Sequence, residues 1–193
     1  HEFSLKRERI VPSVQSALGS VHDLVVLKKS WRPNGQALGT LINREFYQNR
    51  ILFAPTAAEF LGNPNLLIEI ITSGIGSSTK GTSAVESPDA EVDRVIALVL
   101  KHAAEQPEDS LLVATASKLH ADRIEQALRI ALKSKPELDE FFDSHGREKF
   151  EVTSLASLSH RVADRVIFSI GFGTDGEGRA PEAIGELAGP TGR

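Results

Sequence analysis

The chain alternates short apolar blocks of strand length with longer stretches in which apolar residues recur at helical spacing. Leu24-Val-Val-Leu27 is the first block. Pro33 then stands where a first helical turn tolerates a missing N–H. Leu38, Leu41, Ile42 and Phe46 follow on one helical face. Leu66-Leu-Ile-Glu-Ile-Ile71 reads as a second strand, because branched apolar side chains dominate it. Ser73 to Ser83 is rich in Gly, Ser and Thr and reads as a flexible loop. Ser87-Pro88-Asp89 starts a helix, with Ser87 as the cap, Pro88 in the first turn, and Asp89 and Glu91 at the positive end. Val92, Val95, Ile96, Val99 and Leu100 form the stripe that this helix buries.

Leu111-Leu-Val-Ala-Thr115 is a third strand, and a helix from Ser117 carries Ile124, Ala127, Leu128 and Ala131 on one face. Phe141-Phe142 close a short helical piece after Pro136. Phe150 to Leu155 and Val166 to Ile170 are the last two strands, and the Gly/Pro-rich segment from Gly171 is expected to be poorly ordered. Strand and helix therefore alternate. That order predicts an α/β fold, a mostly parallel sheet with helices on both faces. In such sheets the ligand crevice lies at the carboxyl ends of the strands, where Arg32, Ser117 and Gly171 all fall.

Composition narrows the function classes. A chain of 193 residues suits one domain or a large piece of a bigger protein. A net charge of −4 lacks the basic face of a domain that neutralises many phosphates alone, which leaves a shared nucleic-acid surface as the form such binding would take. There is no cysteine, which excludes disulfides, thiolate zinc sites and cysteine nucleophiles. No apolar run reaches the roughly 20 residues of a membrane-spanning helix, so no membrane partner is expected, and the absence of cysteine is compatible with the cytoplasmic location expected. The chain has no methionine and starts His1-Glu2-Phe3, which reads as a tag remnant and cloning scar. Residues 1–19 are accordingly set apart as that remnant and an N-terminal extension, and the remainder reads as an excised domain.

Four features carry candidate chemistry. Arg32, at a strand end, has the forked donors to hold phosphate oxygens and stabilise transferring charge, against the plainer alternative of a surface pair with a carboxylate such as Glu45. Its neighbour Trp31, the only tryptophan, is a core anchor or a stacking platform. Thr115-Ala116-Ser117 sits at a strand-to-helix turn, where hydroxyls and free amides can hold a phosphate, or where Ser117 simply caps the helix. Gly171-Phe-Gly173-Thr-Asp-Gly176 matches the dinucleotide fingerprint in letters only, because no helix and second acidic strand follow it. The histidines form no metal-type pair at helical spacing, so no metal site is expected, and no Gly-x-x-x-x-Gly-Lys-Ser/Thr occurs.

Taken together these residues resemble the second RecA-like domain of superfamily 1 helicases, in the branch that includes the nonsense-mediated-decay RNA helicase. The matching residues are Trp31-Arg32, Phe46-Tyr47, Ile51-Leu52 and the segment from Val92 to Leu132, whose strand end reads Thr115-Ala116-Ser117. The resemblance covers most of residues 20–170, leaving 171–193 as a flexible Gly/Pro-rich segment. It implies a three-layer, parallel-sheet RecA-like domain of the P-loop NTPase type without the P-loop itself. Arg32 would be the catalytic arginine that reaches the ATP γ-phosphate across a cleft, with Trp31 beside the nucleotide. Thr115, Ser117, Ser159 and His160 would approach single-stranded nucleic acid, DNA ahead of RNA. ATP and Mg2+ would be held mainly by a preceding RecA-like domain, so this chain alone is expected to hydrolyse nothing. The chain departs from the family at motif V, where Ala156, Ser159, His160 and Val162 stand at the positions of its Asp, Gln, Gly and Glu, and only Asp164 with its strand is kept. Motif VI has no clear copy before Arg193. The alternatives are a degenerate helicase domain that serves as a scaffold, or an unrelated α/β nucleotide-binding domain.

Overall fold

The computed structural model describes residues 28–30, 36–53, 61–62, 66–72, 77–78, 85–143, 149–158, 161–174 and 184. They belong to two compact units, 1–69 and 70–193. The expected strand Leu24–Leu27 lies outside the described residues.

In the first unit, strand β1 (Lys29–Ser30) pairs in parallel with β2 (Leu52–Phe53), and helix α1 (Gln36–Phe46) connects them. Asn43 ties the helix to the returning chain. Its side chain accepts from the Ile51 amide at 3.0 Å and donates to the Ile51 carbonyl at 2.7 Å. The helix ends in a left-handed pair, Gln48 and Asn49, with φ of 52° and 59°. Gly39 lies under Phe53, where a Cβ would come within 3.0 Å of the ring. The buried positions of this helix are thus Gly39 and Asn43, with Leu38 and Ile42 half-buried. Leu41 and Phe46, expected on the apolar face, are 40% and 77% exposed. Close backbone approach and an amide clamp fix this helix more than a broad apolar stripe does.

The expected strand at Leu66–Ile71 does not form. Residues 66–72 carry no regular structure, and Leu67, Ile68 and Ile70 are 75–81% exposed. A run that is apolar on both faces suits only a strand covered on both sides. Strand propensity without a ladder partner does not create one.

The second unit is built on a three-stranded parallel sheet. Central β5 (Leu111–Thr115) pairs with β6 (Phe150–Ser154) and β7 (Arg165–Ser169), so that Val113 stands between Val152 and Ile167. Every residue of β5 is buried. At its amino end Ser110 zips it to β7. The Ser110 amide and hydroxyl both donate to Asp164 Oδ2, at 2.9 and 2.7 Å, and the Arg165 amide donates back to the Ser110 carbonyl.

Helices α2 (Asp89–Glu105), α3 (Lys118–Leu132) and α4 (Asp139–Phe142) cover one face of this sheet. The core joins Val92, Val95, Ile96 and Val99 of α2, Ile124 and Leu128 of α3, and Phe141 of α4 to Leu111 and Val113, with Phe150, Val152 and Ile167 packed against it. These strand residues alternate along their strands and so share a face. Layers on both faces were expected, yet within this unit the described helices pack on one. On the opposite face Leu112 and Ala114 are buried, but Val166 and Phe168 of β7 are about half exposed.

A second, small sheet occupies sequence expected to be loop or poorly ordered. Strand β4 (Val85–Glu86) pairs antiparallel with β3 (Ser77–Ser78) on one side and with β8 (Phe172–Gly173) on the other. The Gly171 region is therefore pinned at its start, because backbone pairing needs no apolar signature in the sequence.

Candidate functional site

Of the residues singled out from sequence, Trp31, Arg32, Ser159 and His160 lie outside the described residues, as does the end of the glycine run beyond Thr174. Thr115 and Ser117 are described, and both hydroxyls have internal partners. Thr115 is fully buried, and its hydroxyl lies 2.7 Å from the Ser117 carbonyl and 3.4 Å from that of Thr153. Ser117 accepts from the His120 amide at 3.3 Å, a cap on α3.

The carboxyl edge of the sheet holds a constellation that sequence reasoning missed. Ser87 turns the chain from β4 into α2 with a left-handed φ of 56°. That turn moves the expected cap by one residue. Pro88 becomes the cap position with no side-chain bond, while Ser87 Oγ points to His120 Nδ1 at 2.8 Å. His120, in the first turn of α3, is fully buried. Its Nε2 lies 2.8 Å from Ser169 Oγ at the end of β7. Ser169 Oγ in turn donates to Glu91 Oε1 at 2.5 Å, and the same oxygen accepts from the Gly171 amide at 2.9 Å. The Ser87 amide donates to the Gly171 carbonyl at 2.7 Å. Arg123, one turn along α3, donates to the Ser87 carbonyl and pairs with Asp89.

The hydrogen-bond directions follow from the carboxylate. Glu91 only accepts, so Ser169 must give its proton to it and can only accept from His120. Nε2 then carries the imidazole proton, and Nδ1 accepts from the Ser87 hydroxyl. This is a neutral imidazole in a single tautomer. Burial holds His120 below its ordinary pKa; Glu91 pulls it up, Arg123 adds to the lowering, and Glu86 pulls it up.

Ser87 and His120 resemble a nucleophile and its base in distance alone. Both are 0% exposed, and the Ser87 amide is already committed to Gly171, so no substrate carbonyl could meet them. In this arrangement the constellation positions groups. Nearby, Asp89, Asp93, Arg123, Gln126 and Ile130 line an open groove between α2 and α3.

No protein-family model matches the chain, and no curated protein or solved structure is significantly similar to it. Among the described residues, no group of three His, Asp or Glu side chains could hold a metal ion, and no helix is long and apolar enough to cross a membrane. Trp31 and Arg32, the residues expected beside ATP, lie outside the described residues.

One sequence signal could have exposed the constellation. His120, Ile124 and Leu128 follow at four-residue intervals, so the helical period alone puts the imidazole on the buried stripe of α3. A histidine there needs hydrogen-bond partners.

Proposed function

We propose that this chain is the second RecA-like domain of a superfamily 1 ATP-dependent helicase or translocase. It would supply Arg32 to ATP held by a preceding domain, and a surface that tracks single-stranded nucleic acid. The observation that carries the reading is the parallel β6–β5–β7 sheet, with β5 passing through Thr115-Ala116-Ser117 directly into α3. That strand–turn–helix stands at the carboxyl edge, where parallel sheets take their ligands. It also coincides with the segment on which the sequence resemblance rests. The positive end of the α3 dipole stands there, an end suited to a phosphate, and its cap is Ser117, which accepts from the His120 amide.

The test is ATP turnover by the protein that joins this chain to its preceding RecA-like domain, with and without single-stranded DNA. Strand-stimulated turnover is expected, and Arg32→Ala is expected to reduce it by at least about a hundredfold, the scale on which a phosphate-stabilising arginine acts. Unchanged turnover in that variant would remove Arg32 from the chemistry.

A second reading, a degenerate helicase domain acting as a scaffold, draws on one specific observation. The motif V region keeps Asp164, but Asp164 is engaged with Ser110, and Val162 nearby is 81% exposed. Wild-type protein that binds a partner chain but lacks strand-stimulated turnover would favour it.

A further inference from the structure

His120 is buried outright, and nothing in the motor reading uses it. Its hydrogen bonds join three connections that are far apart in sequence: the β4–α2 turn at Ser87, the start of α3, and the β7–β8 turn at Ser169 and Gly171. Gly171 rests directly on the ring. A Cβ at that position would lie 2.4 Å from His120 Cδ2, so the turn has no room for a side chain between its backbone and the imidazole. We infer that this hydrogen-bond chain is a proton-operated latch, in which the neutral imidazole holds the β7–β8 turn onto the starts of α2 and α3, and a second ring proton releases it.

The argument is one of donors and acceptors. In the neutral state every member is satisfied: Ser87 donates to Nδ1, Nε2 donates to Ser169, and Ser169 donates to Glu91. A proton added at Nδ1 turns that acceptor into a donor facing the Ser87 hydroxyl. Ser87 must then rotate to accept, and its own proton needs a new acceptor in a site closed to bulk solvent. The nearby carbonyl of Ser87 already accepts from the Arg123 guanidinium.

The charged groups facing the ring pull in both directions. Glu91 of α2, 3.8 Å from Nε2, and Glu86 of β4 favour the imidazolium, while Arg123 of α3, itself paired with Asp89, opposes it. Burial outweighs them and keeps the native ring neutral. A group whose folded pKa is depressed lends stability above its unfolded value and loses it as pH falls. The window here therefore opens below about 6.5 and runs downward. The latch stands independently of any role in ATP or nucleic-acid chemistry.

The experiment uses the whole chain, isotopically labelled, observed by NMR between pH 7.5 and 5. Two signals are followed: the imidazole carbon and nitrogen shifts of His120, and amide hydrogen exchange at Gly171, corrected for intrinsic rate. At pH 7.5 a neutral ring protonated at Nε2 is expected. Below about pH 6.5, protection of the Gly171 amide should fall by up to about tenfold per pH unit. His120→Gln should remove that slope. Because this variant can fail to fold, Ser169→Ala serves as a second. It cuts the link to Glu91 with a one-atom change at the end of a strand, and should flatten the slope while the amides of β5 and α3 stay protected. A charged ring or an Nδ1-protonated ring at pH 7.5 would overturn the inference. So would a Gly171 slope that persists unchanged in Ser169→Ala.

Discussion

Gly171 has no room for a side chain and adopts a backbone that side chains avoid, with φ of 71° and the His120 ring against its α-carbon. Gly171→Ala is therefore expected to destabilise the chain by at least about 2 kcal/mol, from left-handed strain plus forced displacement of a packed ring. Urea unfolding of the variant beside wild type would measure it, and a loss below about 0.5 kcal/mol would mean that the turn adapts freely. At this scale the sequence was half legible. The helical period places His120 on the stripe of Ile124 and Leu128, so its burial could be read. Its partners could not, because Ser87 and Ser169 stand 33 and 49 residues away and only the folded chain brings them together. Thr115 and Ser117 were read as candidate phosphate ligands. Both are pinned by local hydrogen bonds, a competition that Ser and Thr side chains bring to any turn.

The elements that read correctly are those whose periodicity agrees with a covered face. Helix α2 buries Val92, Val95, Ile96 and Val99 as its spacing predicts, and β5 is apolar because both its sides are filled. Leu66–Ile71 has the same composition and forms no strand, since composition cannot supply a neighbouring strand. Two changes test how the core elements are joined. Ile124→Ala, at a fully buried position between α3 and the sheet, is expected to cost about 2–5 kcal/mol in chemical unfolding. Asp164→Ala removes the acceptor that both Ser110 groups share. It should cost about 1–2 kcal/mol and raise amide exchange at Arg165 ahead of Val113. Equal exchange at the two sites would show that the Ser110–Asp164 clamp does not set the end of the β5–β7 ladder.

For the whole molecule, the depressed pKa of His120 gives a global expectation. Its contribution to unfolding free energy is complete above about pH 6.5 and diminishes as acid charges the unfolded imidazole first. The midpoint of thermal unfolding should fall between pH 7 and 5 in wild type and fall less in His120→Gln, as scanning calorimetry would show. An equal fall in both would assign the acid sensitivity to carboxylates instead. The α/β class and the parallel pairing of the main sheet were legible from alternation alone. The β3–β4–β8 sheet was not, because two-residue strands leave no pattern to read. The order of that main sheet also bears on how the chain is made. Central β5 needs β6 on one edge and β7 on the other, and β7 is the last of these three strands to be synthesised. A ribosome that has released residues up to 158 has delivered one flank of the sheet and left the other edge of β5 bare. Closing that edge then waits for residues 165–169, and a long-range pairing of this kind is intrinsically slow. In refolding experiments, truncation at Val152 should slow folding more than truncation at Ile167, which should chiefly speed unfolding. The reverse order would mean that the last strand of this sheet to be synthesised is the first to nucleate.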